Sequence, residues 1–271
     1  PLTHHMKKIY LFLWLLALTV VLPTSISAQQ RLNEITQRGK LRVGMTGQQP
    51  PFSMESKTGK LIGYEVNLAE LLAESMGLEL ELVRIPFNQL IPSIQEGKVD
   101  LVMSGMTINM ERNMKVAFIG PYVISGKSVV TKSITLAQAD ESSDLNQSRL
   151  RIATLAGSTS EKFVKTLLPE ATSMPVANYD LAVQALLSDE ANVMLADLPI
   201  CLITQMRYPD ANLLTLDDPL TMEPIGMALP ADDPLLLNFI ENYFNALKMT
   251  GLLTELEKYW FETGSWLTDM K

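Results

Sequence analysis

The stretch Val99–Tyr122, VDLVMSGMTINMERNMKVAFIGPY, decides how the rest of the chain is read. It opens on an apolar run, Val99 to Met103, interrupted only by Asp100. A small-residue turn follows at Ser104-Gly105, then Thr107, and a helix is predicted from near Asn109, with Glu111 and Arg112 in its first turn. A cation there opposes the helix dipole, which prefers anions at that end. The placement makes sense where an anion is held. Backbone N–H groups, the Ser104 and Thr107 hydroxyls and the Arg112 fork would then converge on one carboxylate. The same residues also read as a strand, a turn and a helix whose Arg112 extends into solvent.

Upstream of this stretch the pattern is strand, helix, strand, helix. Leu41–Met45 alternates as a strand, and Val66, Leu68, Ala69, Leu72 and Met76 recur at helical spacing before Gly77. Leu78–Ile85 alternates again, and Phe87–Glu96 reads as a second helix closed by Gly97. With Val99–Met103 as the third strand, this is the rhythm of a parallel α/β sheet. Thr135–Gln147 is polar and acidic and reads as a surface segment or partial helix, not a core piece. The rhythm then restarts: strands at Leu150–Leu155, Ala171–Val176 and Ala191–Ala196, helices after Gly157-Ser158, at Tyr179–Leu187 and at Leu198–Arg207. Strands at Leu213–Leu216 and Ile225–Leu229 precede helices at Pro234–Met249 and Leu252–Trp260. Two α/β lobes joined by more than one crossing are predicted.

The chain has 271 residues. Residues 1–28 read as an export signal, with Met6 as the start and Pro1–His5 as an upstream remnant. Lys7 and Lys8 form its basic end, Ile9–Leu22 its apolar middle, and Ser25, Ser27 and Ala28 its cleavage region. Both histidines, His4 and His5, fall in this part, so the remainder has no imidazole for a Ser-His-Asp arrangement or a His-ligated metal. Cys201 is the single cysteine, which excludes an internal disulfide, and its apolar neighbours predict burial. Cleavage removes two lysines and no acid, leaving 20 Lys+Arg against 30 Asp+Glu, so the net charge moves from −8 to −10. That balance argues against nucleic acid and anionic lipid as partners.

Taken together, LRVGMTGQQPPF, LIGYEVNLAELLAESMG, the quoted stretch, LAGSTSEKF, VMLADLPIC and EPIGMALP resemble the periplasmic solute-binding proteins of ABC importers, polar amino-acid group (family 3). The resemblance covers nearly all of the chain after the signal. It implies a type II periplasmic-binding-protein fold: two lobes, each a mainly parallel sheet flanked by helices, joined by two hinge strands. Residues 29–122 and 229–271 would form the first lobe, 128–222 the second, and 123–127 and 223–228 the hinge. Arg112 matches the residue that pairs with the ligand α-carboxylate, with Ser104, Gly105 and Thr107 as companions and Thr159 as a donor from the second lobe. Asp197 matches the acid that receives the ligand ammonium, although it also reads as a strand-end residue or helix N-cap. Phe52 and Phe87 match aromatic walls, or are core aromatics. Where the basic amino-acid binders carry Asp and Tyr, this chain has Thr46 and Gln49, which leaves a preference for a basic ligand unsupported. The implied role is reversible amino-acid binding and delivery to an inner-membrane permease, by a periplasmic monomer without cofactor or metal. Two other roles remain open. One is a ligand-sensing module. The other is an enzyme like cyclohexadienyl dehydratase, with Glu223 as general acid; against it, Phe87 stands where that enzyme has Trp and Ser160 where it has Asn.

Overall fold

A computed structural model describes residues 30–271. The expected export signal, residues 1–28, lies outside the described residues. Helix α1 (Gln30–Arg38) leads into β1 (Lys40–Met45), and a small antiparallel sheet follows from β2 (Gln48–Gln49), β3 (Ser53–Glu55) and β4 (Leu61–Ile62). Helix α2 (Tyr64–Met76) ends where Gly77 adopts φ 65, a left-handed C-cap that glycine takes without a Cβ clash. Strand β5 (Glu79–Arg84) comes next. The stretch expected as one helix from Phe87 divides into a 3-10 turn, Phe87–Gln89, and α3 (Leu90–Gln95). Pro92 has no N–H to donate back, so a regular first turn cannot form there. Strand β6 (Leu101–Val102) and the short α4 (Met110–Asn113) complete the opening stretch. Asp100 is buried and anchors it, ion-paired to Arg38 and, at 2.9 Å, to Arg42.

The first sheet has the order β5-β1-β6-β13-β7, where β7 is Ala117–Ser125 and β13 is Glu223–Leu229. β5, β1 and β6 are parallel, whereas β13 pairs antiparallel with both β6 and β7. The second sheet has the order β10-β9-β11-β8-β12, built from β8 (Lys127–Thr131), β9 (Arg151–Leu155), β10 (Thr172–Val176), β11 (Val193–Asp197) and β12 (Leu214–Thr215). β9, β10 and β11 are parallel; β8 is antiparallel to β11 and β12. Each sheet is thus a parallel trio extended by two strands that bring in antiparallel pairing. β7 runs through Gly126 straight into β8, so β7 and β13 are the two crossings between sheets. Gly126 is required there: a Cβ would fall 1.9 Å from the Thr221 carbonyl oxygen.

Helices α5 (Thr159–Leu167), α6 (Tyr179–Leu187) and α7 (Leu198–Arg207) flank the second sheet. Along β11 the side chains alternate between two cores. Val193 and Leu195 pack with Val129, Ile152 and Val164, whereas Met194 and Ala196 join a larger core reaching the first sheet. The Thr135–Gln147 segment differs from its surface reading. It forms two 3-10 turns, as a partial helix would, but three apolar residues among the polar ones, Leu136, Ala139 and Leu145, are buried in the second core. Helices α8 (Pro234–Thr250) and α9 (Leu252–Lys258) return to the first sheet. Asp233 caps α8 through Leu236 N–H at 2.9 Å and also accepts Leu32 N–H at 2.9 Å, tying the C-terminal helix to α1. Trp260 and Trp266 are packing residues, each donating its indole N–H inward, to Asn67 and to the Trp260 carbonyl. Cys201 is free and buried. Among the described residues no helix is long and apolar enough to cross a membrane.

Candidate functional site

The C-terminal ends of the parallel strands in the two sheets face each other across a cleft, where ligands sit in open α/β sheets. From the first sheet comes the loop after β6. It is stapled to the crossing strand β13 by Ile108 N–H to the Pro224 carbonyl (2.7 Å) and by Gly226 N–H to the Met106 carbonyl (3.2 Å). Asn109 caps α4 by accepting Arg112 N–H at 2.9 Å. Arg112 is 8% exposed; it donates to the Thr107 carbonyl at 2.8 Å, and its guanidinium carbon lies 5.5 Å from the Phe87 ring centroid. Burial lowers its pKa from the usual arginine value, against the opposing pull of Asp197 and Glu223. Arg112 is therefore directed into the cleft, not into solvent.

From the second sheet come Thr159 and Asp197. Ser158 takes the capping role for α5, accepting Glu161 N–H, and this leaves the Thr159 hydroxyl to reach across the cleft to within 3.3 Å of the Thr107 hydroxyl. The lobes approach closely nearby. At Gly157 a Cβ would sit 3.0 Å from the Asn88 Cβ. Asp197 occupies the N-cap position of α7, but its side chain caps nothing. Its Oδ1 instead receives the Lys127 ammonium at 2.5 Å.

Lys127 was not singled out by sequence reading. It opens β8, is 1% exposed, and lies 3.6 Å from the Glu223 carboxylate as well as beside Asp197. The register pairs it directly with Asp197 across the antiparallel β8–β11 ladder. Its one sequence signal is a lysine at the head of an otherwise apolar strand, GKSVV. Tyr179, at the start of α6, was also missed. Burial raises its pKa well above the phenol value, and its hydroxyl meets the Gln49 side chain from the opposite lobe.

Not every expected site residue points into the cleft. Gln49 does reach the interlobe space, held by the Ser104 hydroxyl (2.6 Å) and the Thr46 hydroxyl (2.9 Å). Ser104, expected as a ligand donor, thereby spends its proton within the first lobe and also accepts Thr46 N–H. Gly105 N–H, expected likewise, points inward to the Glu65 carboxylate at 2.8 Å. Phe52 is fully buried behind the Gly105 turn, edge-on to Phe261 with centroids 5.4 Å apart, in the core of the first lobe. Phe87 lines the cleft and supports Arg112 from below. The structure therefore brings Arg112, Thr107, Thr159, Asp197, Phe87 and Gln49 together, and sets Ser104, Gly105 and Phe52 in support. An outer cavity of about 340 Å³ continues past Phe87 between the lobes, lined among others by Thr46, Gln48, Arg84 and Asn178. Among the described residues no group of three His, Cys, Asp or Glu side chains could hold a metal ion.

Two α/β lobes joined by two strands, with an arginine from one and an aspartate from the other facing a shared cleft, define a two-lobed solute-binding protein. Comparison with known proteins narrows the class. Residues 41–263 match the model of the bacterial extracellular solute-binding proteins, family 3, and the chain belongs to that family. It is 26% identical over 249 residues to cyclohexadienyl dehydratase of Pseudomonas aeruginosa, covering 92% of each chain. It is 26% identical over 240 residues to the L-cystine-binding protein TcyJ of Escherichia coli, covering 88% of each. Among solved structures, a putative ABC-transporter binding component from Wolinella succinogenes, complexed with lysine, superposes with a TM-score of 0.80 at 35% identity. That match covers 85% of this chain and 99% of the other.

Proposed function

We propose that the protein binds an amino acid reversibly in the interlobe cleft and delivers it to the permease of an ABC importer. The observation that carries this reading is the pairing of opposite charges from opposite lobes. Arg112 comes from the first lobe and Asp197 from the second, with Thr107 and Thr159 meeting between them. A carboxylate docks first on Arg112, whose planar fork makes two parallel hydrogen bonds that lysine cannot copy. The second lobe then brings the Thr159 hydroxyl and the remaining oxygen of Asp197 to the ligand. Closure expels water, which strengthens each charged hydrogen bond. The similarity to a cystine-binding protein and to a structure complexed with lysine supports an amino acid as the ligand class.

The similarity to a dehydratase keeps catalysis as a second reading. Elimination from a prephenate-like substrate needs an anion clamp and a proton donor. Arg112 could serve as the clamp, and Glu223 faces the same chamber. Glu223, however, already accepts a hydrogen bond from the Thr221 hydroxyl at 3.3 Å and faces the buried Lys127 ammonium, so its side chain is engaged within the protein. Binding without chemistry is therefore the proposed activity. Thermal-shift measurement against the common amino acids tests it directly, because a ligand that binds only the folded state raises its stability by mass action, about 2.7 kcal/mol at a hundredfold excess over Kd. If no amino acid shifts the transition, or if prephenate incubated overnight yields phenylpyruvate, the proposal is wrong.

A further inference from the structure

The cleft carries a charge balance that points to the kind of amino acid it accepts, given the binding reading above. Its inner chamber holds four charged side chains, Arg112 and Lys127 against Asp197 and Glu223, beside the neutral Tyr179 phenol. Lys127 is sealed from solvent and touches both acids, at 2.5 Å and 3.6 Å. The four charges sum to zero, so the second lobe offers no surplus negative charge beyond what the ammonium of a zwitterion uses. A basic side chain would need an acid elsewhere, at the outer end of the cleft.

None stands there. The outer cavity is lined by hydroxyl and amide side chains, Thr46, Gln48, Gln49 and Asn178, by the Phe87 ring, and by one charged residue, Arg84. Its lining contains no carboxylate. Arg84 is itself partnered, pairing with Glu55 at 2.7 Å through Nη1. Asn178 spends its carbonyl oxygen on Leu181 N–H at 2.9 Å, which leaves its amide N–H groups as the half able to serve a ligand. The outer cavity is thus donor-rich and offers no acid to a lysine- or arginine-type tail. A desolvated cation without an acid partner is strongly disfavoured, whereas a carbonyl or carboxylate tail finds donors.

We propose that the ligand is an amino acid whose side chain ends in a hydrogen-bond acceptor, an amide or carboxylate, and that the cleft rejects basic amino acids. Lys127 is the specificity-determining residue of the inner chamber, because it cancels one of the two acids that would otherwise attract a second positive charge. Thr46 is its counterpart in the outer cavity. This departs from the lysine-bound relative despite the shared fold.

The test is titration calorimetry of the mature chain with glutamine, glutamate, leucine, arginine and lysine, repeated on Lys127→Met and Thr46→Asp. In the parent, glutamine or glutamate binds at least about tenfold tighter than arginine or lysine. Each variant makes the cleft more negative by one charge and moves the ratio toward arginine, by about tenfold or more. Should Lys127→Met fail to fold, the parent ratio and Thr46→Asp still decide. Arginine, lysine or a purely aliphatic amino acid binding best to the parent overturns the inference while leaving the binding function intact. An unchanged ratio in both variants overturns the role given to Lys127 and Thr46. Absence of binding by every amino acid overturns the underlying function as well.

Discussion

Glu65 lies beneath the ligand loop and makes the pH dependence of this fold predictable. It lies in the first turn of α2 and is 0% exposed; its Oε1 accepts Gly105 N–H at 2.8 Å and a short hydrogen bond from the Tyr122 hydroxyl. Among the described residues its other oxygen has no hydrogen-bond partner. Burial pushes its pKa up to about 7, and the two hydrogen bonds only partly offset that. In the unfolded chain the same carboxyl titrates at about 4.5. Between those values the folded state holds a proton that the unfolded state has released, so stability falls as pH rises through this window and levels off above it. For this one group the loss between about pH 5 and about pH 8 amounts to about 2.5 kcal/mol. Glu65→Gln removes the titration while keeping an acceptor for Gly105 and Tyr122. Urea unfolding of parent and variant across that pH range, with the two stabilities subtracted, cancels the exposed carboxylates such as Glu55 and Glu111, which titrate in both. The variant should gain on the parent by about 2.5 kcal/mol as pH rises, with most of the change below neutrality. A difference that stays flat with pH, or runs in the opposite direction, would refute the buried-acid account.

Two other substitutions probe the cleft. Arg112→Ala should weaken amino-acid binding by about 3 kcal/mol, since it strands a desolvated carboxylate; calorimetry that finds parent-like affinity removes Arg112 from the site. Asp197→Asn leaves the Lys127 ammonium buried with only the more distant Glu223 as counter-charge, so a loss of about 3 kcal/mol in urea unfolding is expected, together with lost binding, and an unmoved midpoint would show that the pair is not structural.

The alternation of Leu41–Met45 and the helical spacing of Val66 to Met76 were legible because they are short-range patterns, repeated within a few residues, and the structure forms β1 and α2 there. Arg112 was legible for a similar reason: a cation beside a small-residue turn is locally out of place unless something holds it. Where local pattern misled, packing intervened. Thr135–Gln147 looked like solvent-facing chain, yet three of its residues close the second core. Ser104, read as a ligand donor, and Gly105, implied as one by the resemblance, donate in this structure to Gln49 and Glu65, 55 and 40 residues away in sequence.

Strand and helix rhythm, the restart after the first lobe, and the candidate carboxylate clamp follow from the residues themselves, because backbone periodicity and local charge act over a turn or two of chain. The partner of Asp197 does not. It is Lys127, 70 residues away, and the two meet only because antiparallel registration of β8 with β11 sets them side by side in a region sealed from water. Which acid is neutralised, which hydroxyl is free and how much charge the cleft presents were decided by tertiary structure, since ion pairing depends on distance and desolvation and not on order along the chain.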